Sequence, residues 1–209
     1  MKTYPIPMVP GPVKAHPDVL AAYRVDYGSA DLEPEYVELY TRTEANLKRI
    51  LQTRSTVVVF LGEGMMALWG ALKSCLAPGD RVLAVGTGIF GYGIGDMAAA
   101  IGAEVRTVGL PYDQTLSDLS AVAEAVADFK PRMITAVHCE TPSGTLNPLD
   151  GLGRLKQEAG VPLLYVDAVS SLGSLEFRAA DWGVDLAITG SQKGLMLPAG
   201  LGIVCASER

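Results

Sequence analysis

A single lysine stands in a loop of small residues directly after an apolar strand. The loop runs from Thr189 to Gly202, and Lys193 lies in it between Gln192 and Gly194. Because glycine has no Cβ, backbone and ligands can approach such a lysine closely. A lysine here cannot serve as a helix-surface charge. Taken alone, however, a loop lysine is normally a surface residue, so chemistry is indicated only if a partner group lies nearby.

A carboxylate stands 26 residues upstream of this lysine. The run Leu163–Asp167 is typical of a buried strand with Asp167 at its C-terminal tip, and the interval leaves room for one crossover between neighbouring strands. Pyridoxal phosphate requires an amine for a Schiff base and an acid for its pyridine nitrogen. Asp167 and Lys193 together therefore predict a pyridoxal phosphate site, although Asp167 alone fits a structural N-cap equally well.

Three further loops follow predicted strands and carry groups that suit the same cofactor. The turn Gly62–Met66 opens a predicted helix, whose N-terminus can hold a phosphate or can be a simple tight turn. Phe90 stands between glycines and can stack on a flat ring or pack in the core. Thr141 can hydrogen-bond the phenolic oxygen of the cofactor, or its run can be a capped turn. Their common position at strand ends indicates one shared site.

Helices alternate with continuously apolar strands, which favours a three-layer α/β fold with a mostly parallel sheet covered on both faces. We expect an extended N-terminal segment over residues 1–25 and a cofactor-binding domain over residues 26–209. The predicted helices are Pro34–Gln52, Met65–Leu76, a capped helix Ser117–Phe129 and Leu149–Ala159, with a glycine-rich loop Gly86–Gly95 before a short helix to Ile101. The predicted strands are Thr56–Leu61 (expected to be buried), Arg81–Val85, Glu104–Val108, Met133–Val137, Pro162–Val166, Leu186–Ile188 and Ile203–Ala206.

Composition narrows the class of protein. The 209 residues are 49% hydrophobic and 19% charged, which is enough for one sizeable core. A net charge of −6 without a Lys/Arg cluster argues against nucleic-acid binding. The start of the chain lacks the apolar core of a signal peptide, and no apolar run reaches the length of a membrane span. Cys75, Cys139 and Cys205 lack metal or redox spacing, so we expect buried thiols, no metal and a cytoplasmic protein.

Six short motifs stand in a fixed order along nearly the whole chain. They are Val9–Pro12, Leu61–Ala67, Gly88–Gly91, Glu140–Gly144, Val166–Ser171, and Ser191–Lys193 with Pro198–Gly200. Their order resembles that of the class V aminotransferases in the fold-type I pyridoxal-phosphate superfamily, particularly the alanine/serine–glyoxylate branch. The last two motifs together are the most specific. The resemblance implies the large pyridoxal-phosphate-binding domain of an aspartate aminotransferase-like fold, with the C-terminal small domain absent.

The resemblance also implies roles for individual residues. Lys193 would form the Schiff base and then transfer protons as base and acid. Asp167 would pair with the pyridine nitrogen, and Phe90 would stack where relatives often have tryptophan. Gly11 and Glu63 would face the substrate. The implied cofactor-binding residues are Gly64, Met65, Met66, Phe90, Thr141, Asp167, Val169, Gln192 and Lys193.

The implied reaction moves an amino group from a small amino acid of the alanine or serine type to glyoxylate or pyruvate, in a homodimer. Glu63 departs from the small residues of many relatives. It is either a solvated turn residue or a contact to a substrate with a positive or hydroxyl group. A glutamate at this position, with Thr141–Gly144 downstream, also makes the chain similar to the pyridoxamine–pyruvate transaminases. Another reaction on the same cofactor, such as that of a lyase or a phosphonate-directed transaminase, stays open.

The second departure is length, because members of this family are considerably longer. The region missing here normally supplies the arginine for the substrate carboxylate and residues that reach the phosphate of the neighbouring subunit. We therefore keep three alternatives: a fragment, a chain completed by another polypeptide, or a cofactor-binding and dimerising remnant without turnover.

Overall fold

The computed structural model describes residue 6 and residues 8–208. The proline-rich start predicted to be extended lies partly outside the described residues. The described residues form six helices and seven strands. The helices are α1 Pro17–Ala22, α2 Pro34–Ile50, α3 Gly64–Cys75, α4 Ile89–Ile101, α5 Ser120–Phe129 and α6 Asp150–Glu158. The strands are β1 Thr56–Leu61, β2 Arg81–Gly86, β3 Glu104–Gly109, β4 Met133–Val137, β5 Leu163–Asp167, β6 Leu186–Gly190 and β7 Leu201–Ala206.

All seven strands form one sheet in the order β1-β7-β6-β5-β4-β2-β3. Strand β7 is antiparallel to both of its neighbours, β1 and β6, and the remaining pairs are parallel. Because two antiparallel pairings restore the direction, β1 runs the same way as β6. The C-terminal ends of six strands therefore lie along one edge of the sheet, where ligands bind in open α/β sheets.

Two apolar cores cover the two faces, which confirms the three-layer prediction. Helices α3 and α4 pack on one face, and α2, α5 and α6 pack on the other. The first core includes Leu68, Ile94 and Tyr165, and the second includes Val122 and Leu152. Within the described part of the chain, every helix is too short or too polar to cross a lipid bilayer.

The glycine-rich loop predicted at Gly86–Gly95 is wrong, because α4 already begins at Ile89. A Cβ on Gly91 would lie 2.8 Å from the Cα of Gly86, and one on Gly95 would lie 3.0 Å from the Cβ of Ala84. These glycines therefore bring the helix close to the sheet, and they do not interrupt it.

Three local predictions also need correction. Strand β1 is not buried: it lies at the edge of the sheet, and Leu61 at its end is 86% exposed. Helix α5 begins three residues later than predicted and has no side-chain cap. The hydroxyl of Ser117 instead bonds that of Thr115, and Asp118 accepts the N–H of Ser120 in a turn. The segment predicted to be extended over residues 1–25 contains the short helix α1.

Candidate active site

Five loops at the C-terminal edge of the sheet enclose a small cavity of about 180 Å³. The loops follow β1, β2, β4, β5 and β6, the strand ends from which the sequence predicts one shared site. Strands β5 and β6 are direct neighbours, which agrees with the room for one crossover between Asp167 and Lys193. The cavity is lined by Glu63, Gly64, Met65, Leu68, Phe90, Thr141, Asp167, Val169, Gln192 and Lys193.

The amine of Lys193 is half-buried and is held by two hydroxyl groups. Its Nζ donates to Thr141 Oγ1 at 2.7 Å and to Ser170 Oγ at 2.9 Å, and the two hydroxyl oxygens are 2.5 Å apart. The Nζ also lies 5.5 Å from the centroid of the Phe90 ring. Burial lowers the pKa of Lys193, while the charge of Asp167 acts in the opposite direction. A lysine with a lowered pKa is a better nucleophile near neutral pH.

Asp167 is a buried carboxylate at the end of β5. Its Oδ1 accepts the backbone N–H of Val169 at 2.8 Å. Burial raises the pKa of Asp167 to about 6, although the Val169 hydrogen bond and the Lys193 charge favour the ionised form. A buried carboxylate is stabilised by a positive partner, and a protonated ring nitrogen is such a partner.

Glu140 connects the loop of Thr141 with the start of α4. Its carboxylate accepts the N–H groups of Gly91 at 2.8 Å and Phe90 at 3.3 Å, and the side chain is fully buried. An acid at a helix N-terminus satisfies free N–H groups and complements the helix dipole. Glu140 therefore fixes the first turn of α4, which carries the Phe90 ring into the cavity.

The other end of the cavity is formed by the N-terminus of α3 and by Gln192. A Cβ on Gly64 would lie 2.9 Å from Val169 Cγ2, so the helix start fits against the site only because residue 64 is glycine. The side-chain oxygen of Gln192 is buried without a hydrogen-bond partner among the described residues. Glu63 is the N-cap residue of α3 and makes no side-chain cap hydrogen bond there. The free N–H groups of the helix start suit a phosphate, whereas the Glu63 carboxylate brings a negative charge to that end.

The N-terminal segment lies against the lysine loop. Val13 donates its N–H to the carbonyl of Gln192 at 3.0 Å, and a Cβ on Gly11 would lie 2.5 Å from Lys193 Cγ. Gly11 thus contacts the side of the lysine and does not line the cavity. Met66 does not line it either. Its side chain is exposed, and its sulfur lies over Gly62.

Among the polar side chains at the site, Ser170 and Glu140 have no role in the sequence-based prediction. Both stand inside motifs that carry the family resemblance, so a signal was present. The stretch after β5 is a turn without periodicity, however, and the sequence does not show which of Ser170 and Ser171 faces the lysine. The contact between Glu140 and α4 joins residues about 50 positions apart, which a local motif does not reveal.

Comparison with known proteins identifies the family. The profile of the family Aminotransferase class-V matches residues 19–209. The chain belongs to the class V aminotransferases. It is 38% identical over 208 residues to the serine–glyoxylate aminotransferase of Methylorubrum extorquens, covering 96% of this chain and 51% of that protein. It is 33% identical to the pyridoxamine–pyruvate transaminase of Mesorhizobium japonicum, covering 98% and 51%.

A solved structure agrees with this assignment. The alanine–glyoxylate aminotransferase from Nostoc sp. superposes with a TM-score of 0.91 at 34% identity, covering 100% of this chain and 56% of that one. The chain thus spans about half the length of the curated relatives it matches, and it corresponds to their pyridoxal-phosphate-binding large domain. The cofactor of this family, pyridoxal phosphate, fits the residues present: an amine, a buried acid, an aromatic ring and a helix N-terminus surround one cavity.

Proposed function

We propose that the protein is a pyridoxal-phosphate-dependent transaminase, which moves an amino group from a small amino acid of the alanine or serine type to glyoxylate or pyruvate. One observation carries the proposal: Lys193 and the buried Asp167 line the same cavity, beside Phe90. The names of the relatives, serine–glyoxylate and alanine–glyoxylate aminotransferase, support the substrate class.

Each residue has a chemical task in this proposal. When bound, pyridoxal phosphate supplies an aldehyde that reacts with amines and a ring that withdraws electrons. Lys193 Nζ binds the cofactor and afterwards takes and returns a proton. Asp167 would pair with the ring nitrogen, Phe90 would stack on the ring, and Thr141 would bond its hydroxyl. Gly64, Met65, Val169 and Gln192 would hold the remainder of the cofactor, and Glu63 would face the substrate side. Gly11, which the resemblance implies to face the substrate, instead packs against the stem of Lys193.

The first test is a visible absorption spectrum of the purified chain with added pyridoxal phosphate. We expect an absorption band from a Schiff base. Borohydride should reduce this Schiff base to a stable amine, which leaves the cofactor covalently attached to the peptide containing Lys193. Lys193→Ala should lose both the band and the adduct. Incubation with L-alanine or L-serine should bleach the band as the amino group is transferred.

The control is Lys73→Ala, which removes an exposed lysine beside Trp69 on α3 and should leave the spectrum unchanged. An adduct on a lysine other than Lys193 would refute the assignment of the cofactor lysine. A band that forms but is not bleached by any amino donor would favour the remnant without turnover.

A second candidate rests on Glu63. A carboxylate at the N-cap of α3 repels a phosphate dianion where the free N–H groups of the helix would hold it. In this alternative the site takes pyridoxamine and pyruvate, as the name of the relative from Mesorhizobium japonicum indicates for that protein. The ring would then enter without a phosphate, and its hydroxymethyl group would donate to the glutamate.

Competition between pyridoxal and pyridoxal phosphate separates the two candidates. The transaminase proposal expects tighter binding of the phosphorylated ring, with a further gain in Glu63→Ser because a negative charge is removed. The second candidate expects preference for pyridoxal in the native chain, reversed by Glu63→Ser. Glu63→Gln, which keeps the size and removes the charge, should follow Glu63→Ser if electrostatics decides.

We further propose a homodimer in the cytoplasm. Exposed apolar side chains stand in or near the loops that line the cavity, among them Met65, Met66, Ile89 and Met196. Exposed apolar surface around a site favours coverage by a partner. The three cysteines are free, which suits a reducing compartment. Sedimentation should give a dimer that Ile89→Asp weakens; an unchanged dimer would place the interface elsewhere.

A further inference from the structure

Among the described residues, the hydroxyl group of Ser170 forms hydrogen bonds only with side chains of the site. It bonds Lys193 Nζ at 2.9 Å and Thr141 Oγ1 at 2.5 Å. The neighbouring serines differ, because each of them bonds backbone. Ser171 Oγ donates to the carbonyl of Ala168, and Ser191 Oγ donates to that of Pro198. Their hydroxyls therefore bond the backbone, whereas that of Ser170 hydrogen-bonds only Lys193 and Thr141 among the described residues.

The kind of partner matters for a lysine that takes and returns a proton. An ammonium group only donates hydrogen bonds, whereas a neutral amine also has a lone pair that accepts one. A hydroxyl can accept from the first and donate to the second, so it can hold the amine in both states. A carboxylate in the same place would accept from the ammonium and would hold the neutral amine weakly.

We propose that Ser170 is a positioning residue for Lys193, whose hydroxyl keeps the amine at the cavity in both its protonated and its neutral state. Thr141 has the same contact, but it is also expected to bond the cofactor. Ser170 is then the hydroxyl that stays with the amine throughout the reaction. This inference rests on the proposed function for its kinetic consequence, but the contact itself can be tested without cofactor.

The test measures the reactivity of Lys193 in the chain without cofactor. Acetic anhydride is added across pH 7 to 10.5, and the peptide that contains Lys193 is quantified by mass spectrometry. Charge-assisted hydrogen bonds are the stronger ones, so loss of the Ser170 hydroxyl destabilises the ammonium more than the neutral amine. In Ser170→Ala we expect the titration midpoint to fall by about half a pH unit, which is roughly a threefold gain in reactivity below the midpoint.

Two variants act as controls. Ser170→Thr retains the hydroxyl and should restore the native profile. Ser171→Ala removes the adjacent hydroxyl, which faces the backbone, and should also leave the profile native. A native profile in Ser170→Ala, or an equal shift in Ser171→Ala, would overturn the proposal. Circular dichroism of each variant confirms that the comparison is made on folded protein.

The kinetic readout is a single turnover with L-alanine and the cofactor-loaded chain. Because a misplaced amine transfers the proton slowly, we expect Ser170→Ala to lower the maximal rate about tenfold without changing the concentration of alanine at half-maximal rate. A lower apparent affinity at an unchanged rate would assign Ser170 to substrate binding and refute the positioning role. If no chain transaminates, the proposed function fails, while the labelling experiment still decides the role of Ser170.

Discussion

Two lysine–aspartate arrangements lie at opposite edges of the same sheet, and they are built differently. Lys156 and Asp185, at the N-terminal edge, form a direct ion pair of 2.6 Å in which both side chains are buried. At the C-terminal edge, Lys193 has no carboxylate within ion-pairing distance among the described residues. Two hydroxyls take its hydrogen bonds instead, and Asp167 lies separately beside the same cavity.

The hydrogen bonds around the two aspartates show what this difference means. The oxygens of Asp185 also accept the N–H of Leu164 at 2.8 Å and the hydroxyl of Ser207 at 3.1 Å. Asp167 has one such bond, to Val169, and its second oxygen stays available at the cavity. A saturated pair has one stable arrangement and holds the fold together. An unsaturated one is costly to bury, but it can still bind a ligand and exchange a proton.

The largest effect that separates the two arrangements is on stability. Lys156→Ala leaves a buried, uncompensated carboxylate, so we expect a loss of about 3–5 kcal/mol in the free energy of unfolding. Lys193→Ala removes bonds to neutral hydroxyls and a charge that has no carboxylate at ion-pairing distance among the described residues. We expect it to change the free energy of unfolding by about 1 kcal/mol or less. Urea denaturation followed by circular dichroism measures both. Similar losses in the two variants would contradict the distinction between a structural and a functional lysine.

The double variant Lys156→Met/Asp185→Asn sharpens this result. It removes both charges and retains a hydrogen-bonding side chain for Leu164 and Ser207. We expect it to be more stable than Lys156→Ala, because no unpaired charge is buried. A double variant as unstable as the single one would mean that the ion pair itself stabilises the fold, because methionine restores the packing of the lysine stem.

The arrangement of Lys193 and Asp167 at the proposed site was predictable from the sequence, and the ion pair of Lys156 and Asp185 was not. Lys193 and Asp167 each follow an apolar strand, so the position of both at one edge follows from a parallel sheet. Nothing in the local sequence around Lys156 and Asp185 indicates that they meet, because the contact depends on how α6 packs across the sheet. For the same reason the sequence does not show that β1 is an edge strand: its apolar run Thr56–Leu61 looks like that of a central strand.

Glycine composition misled the prediction of α4. Local propensity treats Gly91 and Gly95 as helix breakers. In the structure, their missing side chains allow the helix to approach β2, and this long-range packing outweighs the local cost. The contacts that decide whether such a segment is helical join residues distant in sequence, whereas a motif contains only residues that are close together in the sequence.

The next largest effect concerns the pH dependence of the free energy of unfolding. Burial raises the pKa of Asp167 to about 6, above its ordinary value of 3.8. The folded state therefore favours the protonated acid. The stabilisation that protonated Asp167 contributes below pH 3.8 is lost as the pH rises from 3.8 through 6. The loss is about 3 kcal/mol above pH 6. Asp167→Asn removes this penalty, so it should be more stable than the native chain at pH 7, and the difference should vanish near pH 4.

His138 provides an opposite slope in the same window. Burial lowers its pKa to about 4, so the folded state favours the neutral ring and stability is lost as the pH falls from 6.5. Its ring packs against Phe177 and Trp182 at centroid distances of 5.3 and 5.4 Å. Urea titrations between pH 4 and 7 should therefore show a steeper rise of stability with pH in Asp167→Asn than in the native chain. In His138→Gln the rise should be shallower. An unchanged slope in Asp167→Asn would mean that its carboxyl is not desolvated.

The smallest effect is expected at Glu140, which connects the loop of Thr141 with the start of α4 and, among the described residues, makes no ion pair with a lysine. Glu140→Gln keeps an oxygen for one N–H of α4 and removes the charge at the helix N-terminus, so we expect a loss of about 1 kcal/mol in unfolding free energy. The same change loosens the turn that carries Phe90 and should weaken pyridoxal phosphate binding several-fold more than stability alone explains.

The matched control for this change is Glu176→Gln. Glu176 is exposed, and its ion pair with Arg178 at 3.1 Å should contribute less than about 1 kcal/mol. Cofactor affinity should stay native in this variant. If Glu140→Gln also binds the cofactor natively, Phe90 is held by the sheet and the helix without its cap. The C-terminal edge of the sheet would then be held by packing alone, whereas the N-terminal edge is held by the ion pair of Lys156 and Asp185.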